Sequence, residues 1–245
     1  MNNAKIEIGV HRLKKKLKTT QALNDITLNF DAELIHGLIG PEGAGKTTLF
    51  RHLVGLLTPQ SGSITYLADN QKTTLDTIRT KIAYMPQHQS LYPDLSIAEH
   101  LIFFKEMYNL NQKEFNTKRD RLLEITRLEK FTDRPAGKLS GGMYKKLGLM
   151  CALMSSPSAL LLDEPTNGVD PISRREFWEL IYQLREDHIL IIVATAYMDE
   201  AERCSKVHLL NAGKLIGSGE PKELLAKNNV KSFEEYFLKH EASVS

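Results

Sequence analysis

A glycine-rich segment, GPEGAGKTT at 40–48, carries the clearest chemical signal in the sequence. It satisfies the pattern G-x-x-x-x-G-K-[ST] and follows an apolar stretch, ELIHGLIG at 33–40, that is typical of a buried strand. Helical spacing begins directly after it, in TTLFRHLVGLL at 47–57. A loop in this setting turns backbone N–H groups toward a polyphosphate, and the helix N-terminus adds a positive potential. The segment therefore predicts a nucleoside triphosphate site.

Individual residues of this phosphate loop have predictable roles. Lys46 is long enough to reach the β- and γ-phosphates, and Thr47 can place its hydroxyl on Mg²⁺. A glycine turn without a ligand is the alternative, and the strand and helix on either side argue against it. The residues expected to surround the nucleotide are Gly40, Pro41, Glu42, Gly43, Ala44, Gly45, Lys46, Thr47 and Thr48.

A second, acidic segment narrows the chemistry, because kinases, GTPases and ATPases all use such a loop. In SALLLDEPTNGVD at 158–170, an apolar strand ends at Asp163 and Glu164 follows it. Asp163 is placed to hold Mg²⁺ through its water shell, and Glu164 is placed to polarise an attacking water. Alone, the pair could be a solvated turn. The phosphate loop upstream favours a catalytic pair.

A third segment, LSGGM at 139–143, opens a helix. Ser140, Gly141 and Gly142 offer a hydroxyl, open backbone N–H groups and a helix dipole, which together can bind an anion. Considered alone, Ser140 could equally be a plain helix cap. With the phosphate loop, the chain is expected to carry two phosphate-binding elements.

The predicted elements that position these segments indicate an α/β fold. The first third is rich in strands, at 5–10, 23–30, 33–40 and 62–67, and a helical segment follows at about 88–137. From residue 139 helices and strands alternate, which predicts a parallel sheet. The expected order is helix 141–155, strand 159–163, helix 171–187, strand 189–195, helix 197–203, two strands within 206–219, and helices at 221–227 and 232–239.

Composition excludes several classes of function. Among 245 residues, 32 basic and 30 acidic side chains leave a net charge of +2, so no nucleic-acid partner is expected. The lysines of KKKLK at 14–18 are interpreted as a solvated loop. No apolar run reaches the length of a membrane span, no secretory signal is recognised, and Cys151 and Cys204 fit no disulfide or zinc spacing. We expect a soluble intracellular protein with reduced thiols.

The ordered motifs resemble the ATP-binding cassette family, the nucleotide-binding domains of ABC transporters, over essentially the whole chain. They are GPEGAGKTT, Gln87 in YMPQ, LSGG at 139–142, LLLDEP at 160–165 and GVD at 168–170. The resemblance implies a P-loop NTPase core with a mostly parallel sheet, an N-terminal antiparallel β subdomain and an inserted helical subdomain. Residues 1–87 and 138–245 would form the β subdomain and core, and 88–137 the helical subdomain, within one domain of 1–245.

The same resemblance implies a mechanism. Two cassettes would pair head to tail, so that ATP held by Lys46 in one is capped by Ser140, Gly141 and Gly142 of the other. Gln87 would contact Mg²⁺ and the attacking water, and Glu164 would be the catalytic base. Asp170 would lie at the pairing surface. The helical subdomain would receive a transmembrane permease subunit, which places the chain in the cytoplasm, peripheral to the inner face of the membrane.

Three positions depart from the family pattern. Met143 follows Ser-Gly-Gly where glutamine is common, with a modest effect expected. Leu17 occupies the place of the aromatic residue that stacks on adenine, which would weaken affinity or base selectivity. Ala196 stands where a histidine normally contacts the γ-phosphate. His188 and His208 are expected to be structural or solvated, and His88, beside Gln87, is a weak candidate to replace it.

With Ala196 and the LSGGM segment, the chain resembles the cassettes of ABC-2-type exporters, including the N-terminal cassette of tandem-cassette proteins. The leading interpretation is an ATPase subunit that powers efflux of drugs or other small molecules, with reduced turnover because of Ala196. The chain could be half of an asymmetric pair or one domain of a longer polypeptide. Two alternatives remain: a soluble cassette switch without a membrane partner, and a sensor cassette that binds ATP with little turnover.

Overall fold

An antiparallel sheet forms the first layer of the fold. The computed structural model describes residues 4–88 and 91–242 of the chain. The sheet has the strand order β2-β1-β4-β5. Its buried side chains alternate along β1 and β2, so one face is covered and the other faces solvent, as antiparallel sheets allow. The strands are β1 (Ile6–Leu17), β2 (Thr20–Phe30), β4 (Ser61–Ala68) and β5 (Gln71–Thr73).

A six-stranded sheet forms the centre, in the order β10-β9-β3-β8-β7-β6. All neighbouring pairs are parallel except β9 with β10. Strands β3, β7 and β8 are buried along their whole length because both faces of the sheet are covered. The strands are β3 (Ile35–Ile39), β6 (Ile82–Met85), β7 (Ala159–Asp163), β8 (Leu190–Thr195), β9 (Lys206–Asn211) and β10 (Lys214–Gly219).

Helices cover the central sheet and build the helical subdomain. Two begin with a capping box, in which Ser96 pairs with Glu99 and Asn111 with Glu114. The helices are α1 (Lys46–Leu53), α2 (Leu75–Ile78), α3 (Ile97–Met107), α4 (Gln112–Thr126), α5 (Gly141–Leu153), α6 (Pro171–Arg185), α7 (Pro221–Asn228) and α8 (Phe233–Ala242). Among the described residues, none of the helices is both long and apolar enough to cross a lipid bilayer.

Two hydrophobic cores lie on opposite faces of the central sheet. Leu161 packs with the antiparallel sheet and α1, whereas its neighbours Leu160 and Leu162 pack with α5, α6 and the helical subdomain. Each fully buried aliphatic side chain of this kind contributes about 2 kcal/mol by leaving water. The two cores fix the strand ends of the sheet, and with them the loops that follow those strands.

The α/β class, the parallel sheet and the antiparallel β layer are confirmed, while several local predictions are wrong. Strands β5 and β6 were not predicted, because three or four residues are too few to show periodicity. The helix predicted at 197–203 is present, as a 3₁₀ helix, Met198–Arg203. Helix α1 ends at Leu53, four residues before the predicted end, and Gly55 follows with a positive φ of 75°.

The prediction of a solvated loop at 14–18 is also wrong for most of its lysines. Lys14 and Lys15 are not in a loop but in β1, where Lys14 pairs with Ser61 of β4 and Lys15 with Leu23 of β2. Pairing on both sides satisfies the backbone, so the strand continues through a polar sequence that shows no apolar alternation. Lys18 lies beyond the strand end, in the turn to β2.

Candidate nucleotide-binding and catalytic site

The phosphate loop joins β3 to α1 at the carboxyl edge of the central sheet. Glycine is required at two of its positions. A Cβ atom on Gly40 would lie 2.1 Å from the carbonyl oxygen of Leu210, and one on Gly45 would lie 2.5 Å from that of Ala22. Gly45 also has a φ of +106°, which side chains disfavour. The loop is therefore pressed against two neighbouring strands, with its N–H groups at the start of α1.

Lys46 is buried at the bottom of this loop. Its Nζ donates to the carbonyl oxygens of Gly40, at 2.6 Å, and Pro41, at 3.1 Å, and lies 3.0 Å from Oε1 of Glu164. The ammonium group is thus held by acceptors that a phosphate can replace. Its ion pair joins the phosphate loop to the acidic segment, although the two are more than a hundred residues apart in sequence.

Asp163, at the end of β7, is fully buried beside the loop. Thr47 donates its hydroxyl to one carboxylate oxygen at 3.1 Å, and Tyr84 donates its hydroxyl to the other at 3.1 Å. Burial raises the pKa of Asp163, and the bonds from Thr47 and Tyr84 oppose that rise. A hydroxyl and a carboxylate are hard oxygen ligands, so Thr47 and Asp163 fit Mg²⁺.

Tyr84 is a functional candidate that the sequence prediction missed. Burial, and the nearby charge of Asp163, raise the pKa of its hydroxyl, so Tyr84 stays protonated and donates. The signal was present in YMPQ, because β6 lies beside β7 with Tyr84 opposite Leu161. Because β6 was not predicted, the proximity of Tyr84 to Asp163 could not be inferred from the sequence.

Glu164 follows β7 in a left-handed backbone conformation, with a φ of +48°. Its backbone N–H donates to Ala194 at 2.8 Å, and its carboxylate Oε2 accepts the backbone N–H of Ala196 at 3.2 Å. A non-glycine residue in this region is strained and is held by such contacts. The position where a histidine was expected therefore meets the carboxylate through a main-chain N–H alone.

The phosphate loop from Glu42 to Thr48 lines one cleft of about 410 Å³ together with Gln87 and Glu164. Leu17 lies at its edge and is 39% exposed, as expected for a residue that covers a base. A slightly larger cavity, of about 460 Å³, lies between α4 and the ends of α5 and α6 and shares no residue with the cleft. The nucleotide cleft is lined by Leu17, Thr20, Ala22, Glu42, Gly43, Ala44, Gly45, Lys46, Thr47, Thr48, Gln87 and Glu164.

Ser140, Gly141 and Gly142 are not part of this cleft. Ser140 caps α5, since its hydroxyl accepts the N–H of Met143 at 3.3 Å. Ser140 and Gly141 are exposed, whereas Gly142 is buried where a Cβ atom would lie 2.7 Å from Ser173 of α6. The predicted second phosphate-binding element thus lies outside the chain's own nucleotide cleft.

No described histidine takes the place of the missing one at 196. His188 is exposed and lies 3.1 Å from a carboxylate oxygen of Glu33. His208 is buried, 3.2 Å from His36, and burial lowers its pKa well below the usual value. His88 is exposed and does not line the cleft.

The acidic segment after Ala196 contributes a buried anchor that was not predicted. One carboxylate oxygen of Glu200, Oε1, accepts the hydroxyl of Thr166 at 2.8 Å and the indole N–H of Trp178 at 2.9 Å. Thr166 lies two residues after Glu164, and Trp178 lies on α6. Glu200 therefore ties the turn after β8 to the loop after the catalytic pair.

Comparison with known proteins agrees with this geometry. The family model described as "ABC transporter" matches residues 23–167. The chain is 44% identical over 233 residues to "Probable multidrug ABC transporter ATP-binding protein YbhF" of Escherichia coli, which covers 95% of this chain and 40% of that protein. It is 35% identical over 219 residues to "Nod factor export ATP-binding protein I" of Cupriavidus pinatubonensis, covering 89% and 67% respectively. The chain thus spans about two fifths of its Escherichia coli relative.

Solved structures show the same architecture. The chain matches an "ATP binding subunit of ABC transporter" with a TM-score of 0.81 at 27% identity, over 95% of this chain and 98% of that one. It matches cbiO1 of Clostridium perfringens, described as "Part of the ABC transporter complex cbiONQ", with a TM-score of 0.80 at 29% identity, over 90% and 91%.

Proposed function

Because this chain belongs to the ABC transporter family of ATP-binding proteins, we propose that it binds ATP with Mg²⁺ and hydrolyses it to power a membrane exporter. The observation that carries the proposal is the convergence of Lys46, Thr47, Asp163 and Glu164 on one cleft that Gln87 also lines. Members of the family are ATPases. The relatives' names, multidrug transport and Nod factor export, support efflux of small molecules.

Each residue of the cleft has a role in this proposal. Lys46 exchanges its carbonyl contacts for the β- and γ-phosphates, and the loop from Gly40 to Thr48 wraps the polyphosphate. Thr47, Asp163 and Gln87 hold Mg²⁺, which neutralises charge on the phosphates when bound. Glu164 orients and polarises the attacking water, and its proximity to Lys46 keeps the carboxylate at the phosphate end of the cleft.

Pairing with a second cassette completes the site in this proposal. Ser140, Gly141 and Gly142 do not line the chain's own cleft, and Ser140 and Gly141 are exposed, so this segment is available to cap ATP bound by another cassette. Asp170, which caps α6 through the N–H groups of Ile172 and Ser173, lies nearby on the pairing surface. The second cassette is either a further copy, a related chain or the other half of a tandem protein.

A permease is the proposed membrane partner, and the helical subdomain, with proposed bounds of 88–137, is its docking site. Five large apolar side chains of this subdomain are at least 38% exposed, which is unusual for an unpartnered surface. They are Tyr92, Ile102, Phe103, Met107 and Tyr108. In this proposal the chain lies in the cytoplasm, against the inner face of the membrane.

Reduced turnover is a further part of the proposal. At Ala196 the only polar contact offered to Glu164 is the backbone N–H. An imidazole would add a donor at the γ-phosphate, and loss of one such preorganised donor costs about two to three orders of magnitude in rate. The site retains Lys46 and Glu164, so hydrolysis is slowed and not abolished.

The test is Glu164→Gln, which keeps the side-chain shape and removes the charge that polarises water. We expect steady-state ATP hydrolysis to fall about 100-fold while the Kd for ATP changes little. Glu223→Gln, at an exposed position on α7, is the matched control. Unchanged hydrolysis would remove Glu164 from this role. Co-expression with a candidate ABC permease then separates a transporter subunit, which co-purifies with it, from a soluble switch, which does not.

A further inference from the structure

Lys145, on the second turn of α5, makes two contacts that the sequence does not suggest. Its side-chain Nζ donates to the carbonyl oxygen of Gln87 at 3.2 Å and to that of Glu164 at 3.4 Å. Both are main-chain atoms of residues proposed to act on the attacking water. One ammonium group thus joins α5 to the two loops that carry this chemistry.

Partial burial disfavours the charged form of a lysine side chain. The presence of Lys145 at this position therefore indicates that its two contacts are specific. Lys145 is partly buried, and desolvation lowers its pKa, while the carboxylates of Glu164 and Asp163 oppose the change. The carbonyl it holds on Glu164 belongs to a residue with a φ of +48°. A cation at that carbonyl helps to keep the strained backbone in place.

Helix α5 can carry a displacement from one end to this contact. Its residues from Lys146 to Cys151 are buried against the core, so the helix moves as one body. Ser140 caps its first turn, about 7 Å along the axis from Lys145 at 1.5 Å per residue. Tyr144, the preceding residue, accepts the N–H of Leu91, so α5 holds the segment after Gln87 at a second point.

We propose that Lys145 is a positioning residue that couples the two ATP sites of a cassette pair. ATP of the partner, engaged at Ser140 and Gly141, fixes α5, and Lys145 then sets the backbone of Gln87 and Glu164 beside this chain's own ATP. The inference rests on the proposed pairing and goes beyond it, because it assigns communication between the sites to one side chain. Such coupling is reciprocal, so each site sets the other's affinity for the paired state.

The experiment compares Lys145→Met with the unaltered chain in ATP hydrolysis as a function of ATP concentration. Methionine keeps much of the length and removes the donors. We expect the Hill coefficient to fall from a value above 1 to about 1, and kcat to fall about tenfold through misplacement of Glu164. The Kd of a non-hydrolysable ATP analogue should stay within about twofold. Lys145→Arg, which keeps charge and donors, should restore most of both losses.

Two controls separate this proposal from a general defect. Lys130→Met, at an exposed position of the helical subdomain, should change neither kcat nor the Hill coefficient. If Lys145→Met fails to fold, Lys145→Gln, which keeps two N–H donors but not the charge or the reach, takes its place.

An unchanged Hill coefficient in the variant, or an equal loss in Lys145→Met and Lys145→Arg, overturns the proposal. A Hill coefficient of about 1 in the unaltered chain also overturns it, provided that Glu164→Gln still forms ATP-dependent pairs. If Glu164→Gln binds ATP without pairing, the pairing of two copies of this chain fails, and the coupling measured between them fails with it.

Discussion

At the scale of single residues, the candidate site is built around the Lys46–Glu164 pair, and we propose that Ala196 limits its rate. The ion pair, at 3.0 Å, brings the phosphate loop and the proposed base together. Ala196 adds only a backbone N–H to the Glu164 carboxylate. We therefore propose that binding and catalysis are separable in this chain, because the residues proposed to bind phosphate are present and the side-chain donor expected at 196 is not.

Ala196→His restores that donor. We expect kcat for ATP hydrolysis to rise by at least about tenfold, because an imidazole at the turn after β8 adds a contact to developing charge. The Kd for ATP should change little. Steady-state kinetics at saturating Mg²⁺ measure the effect, with Ala226→His, on α7, as the control. A flat or lower kcat in a folded Ala196→His chain would show that the missing imidazole is not what limits the rate.

Tyr84→Phe removes the hydroxyl that holds one oxygen of Asp163. The carboxylate is then less fixed, so we expect the Mg²⁺ concentration for half-maximal hydrolysis to rise by about threefold to tenfold, in line with the loss of an outer ligand contact. ATP binding without Mg²⁺ should be unaffected. Tyr92→Phe, at an exposed tyrosine, is the control. An unchanged Mg²⁺ requirement would assign Tyr84 to packing alone.

Candidate site residues could be located from the sequence where a motif is continuous, and their roles stay predictions. The phosphate loop, Asp163 with Glu164, and Ser140 with its glycines could all be located before the structure. Tyr84, Lys145 and Glu200 could not, because each acts through contacts between segments far apart in the chain. Their chemistry depends on strand neighbours and helix packing, which a linear pattern does not contain.

At the scale of elements, the residues of the candidate site lie together because they follow the carboxyl ends of the central strands. Strands β3 and β7 lie on either side of β8 and lead directly into the phosphate loop and the acidic pair. The predicted strands were recognised by apolar runs or alternation. The continuation of β1 through Lys14 and Lys15 was not recognised. Main-chain pairing on both sides of the strand, and not side-chain burial, stabilises this part of β1.

Helix α4 offers a test of the helical subdomain as an element. Asn111 caps it, with its side chain accepting the N–H of Glu114 at 3.0 Å. Asn111→Ala should lower the free energy of unfolding by about 1 kcal/mol, the usual value of such a cap. Chemical denaturation measures it, and Asn116→Ala on the same helix should stay within about 0.5 kcal/mol. ATP affinity should be unchanged, and a large loss of affinity would contradict the separation of α4 from the nucleotide cleft.

At the scale of the whole molecule, the arrangement implies a partner. We propose two phosphate-binding elements in the chain, of which only the loop from Gly40 to Thr48 contributes to its own cleft. The proposed partner for the element outside the cleft is a second cassette. The exposed apolar side chains of the helical subdomain form a separate surface, which we propose for a permease. Lys145 of α5 contacts the main chain of Gln87 and Glu164, and this contact is the proposed link between the two ATP sites of a pair.

The most direct test of this account is the mass of Glu164→Gln in solution with and without ATP. Light scattering after size-exclusion chromatography should show the 27.7 kDa chain alone without nucleotide, and a pair of about twice that mass with ATP and Mg²⁺. Adding Ser140→Arg, which blocks the second phosphate-binding element, should abolish the pair while the cleft still binds ATP. A chain that binds ATP and stays single, under conditions where Glu164→Gln no longer hydrolyses it, would contradict a site shared between two copies of this chain.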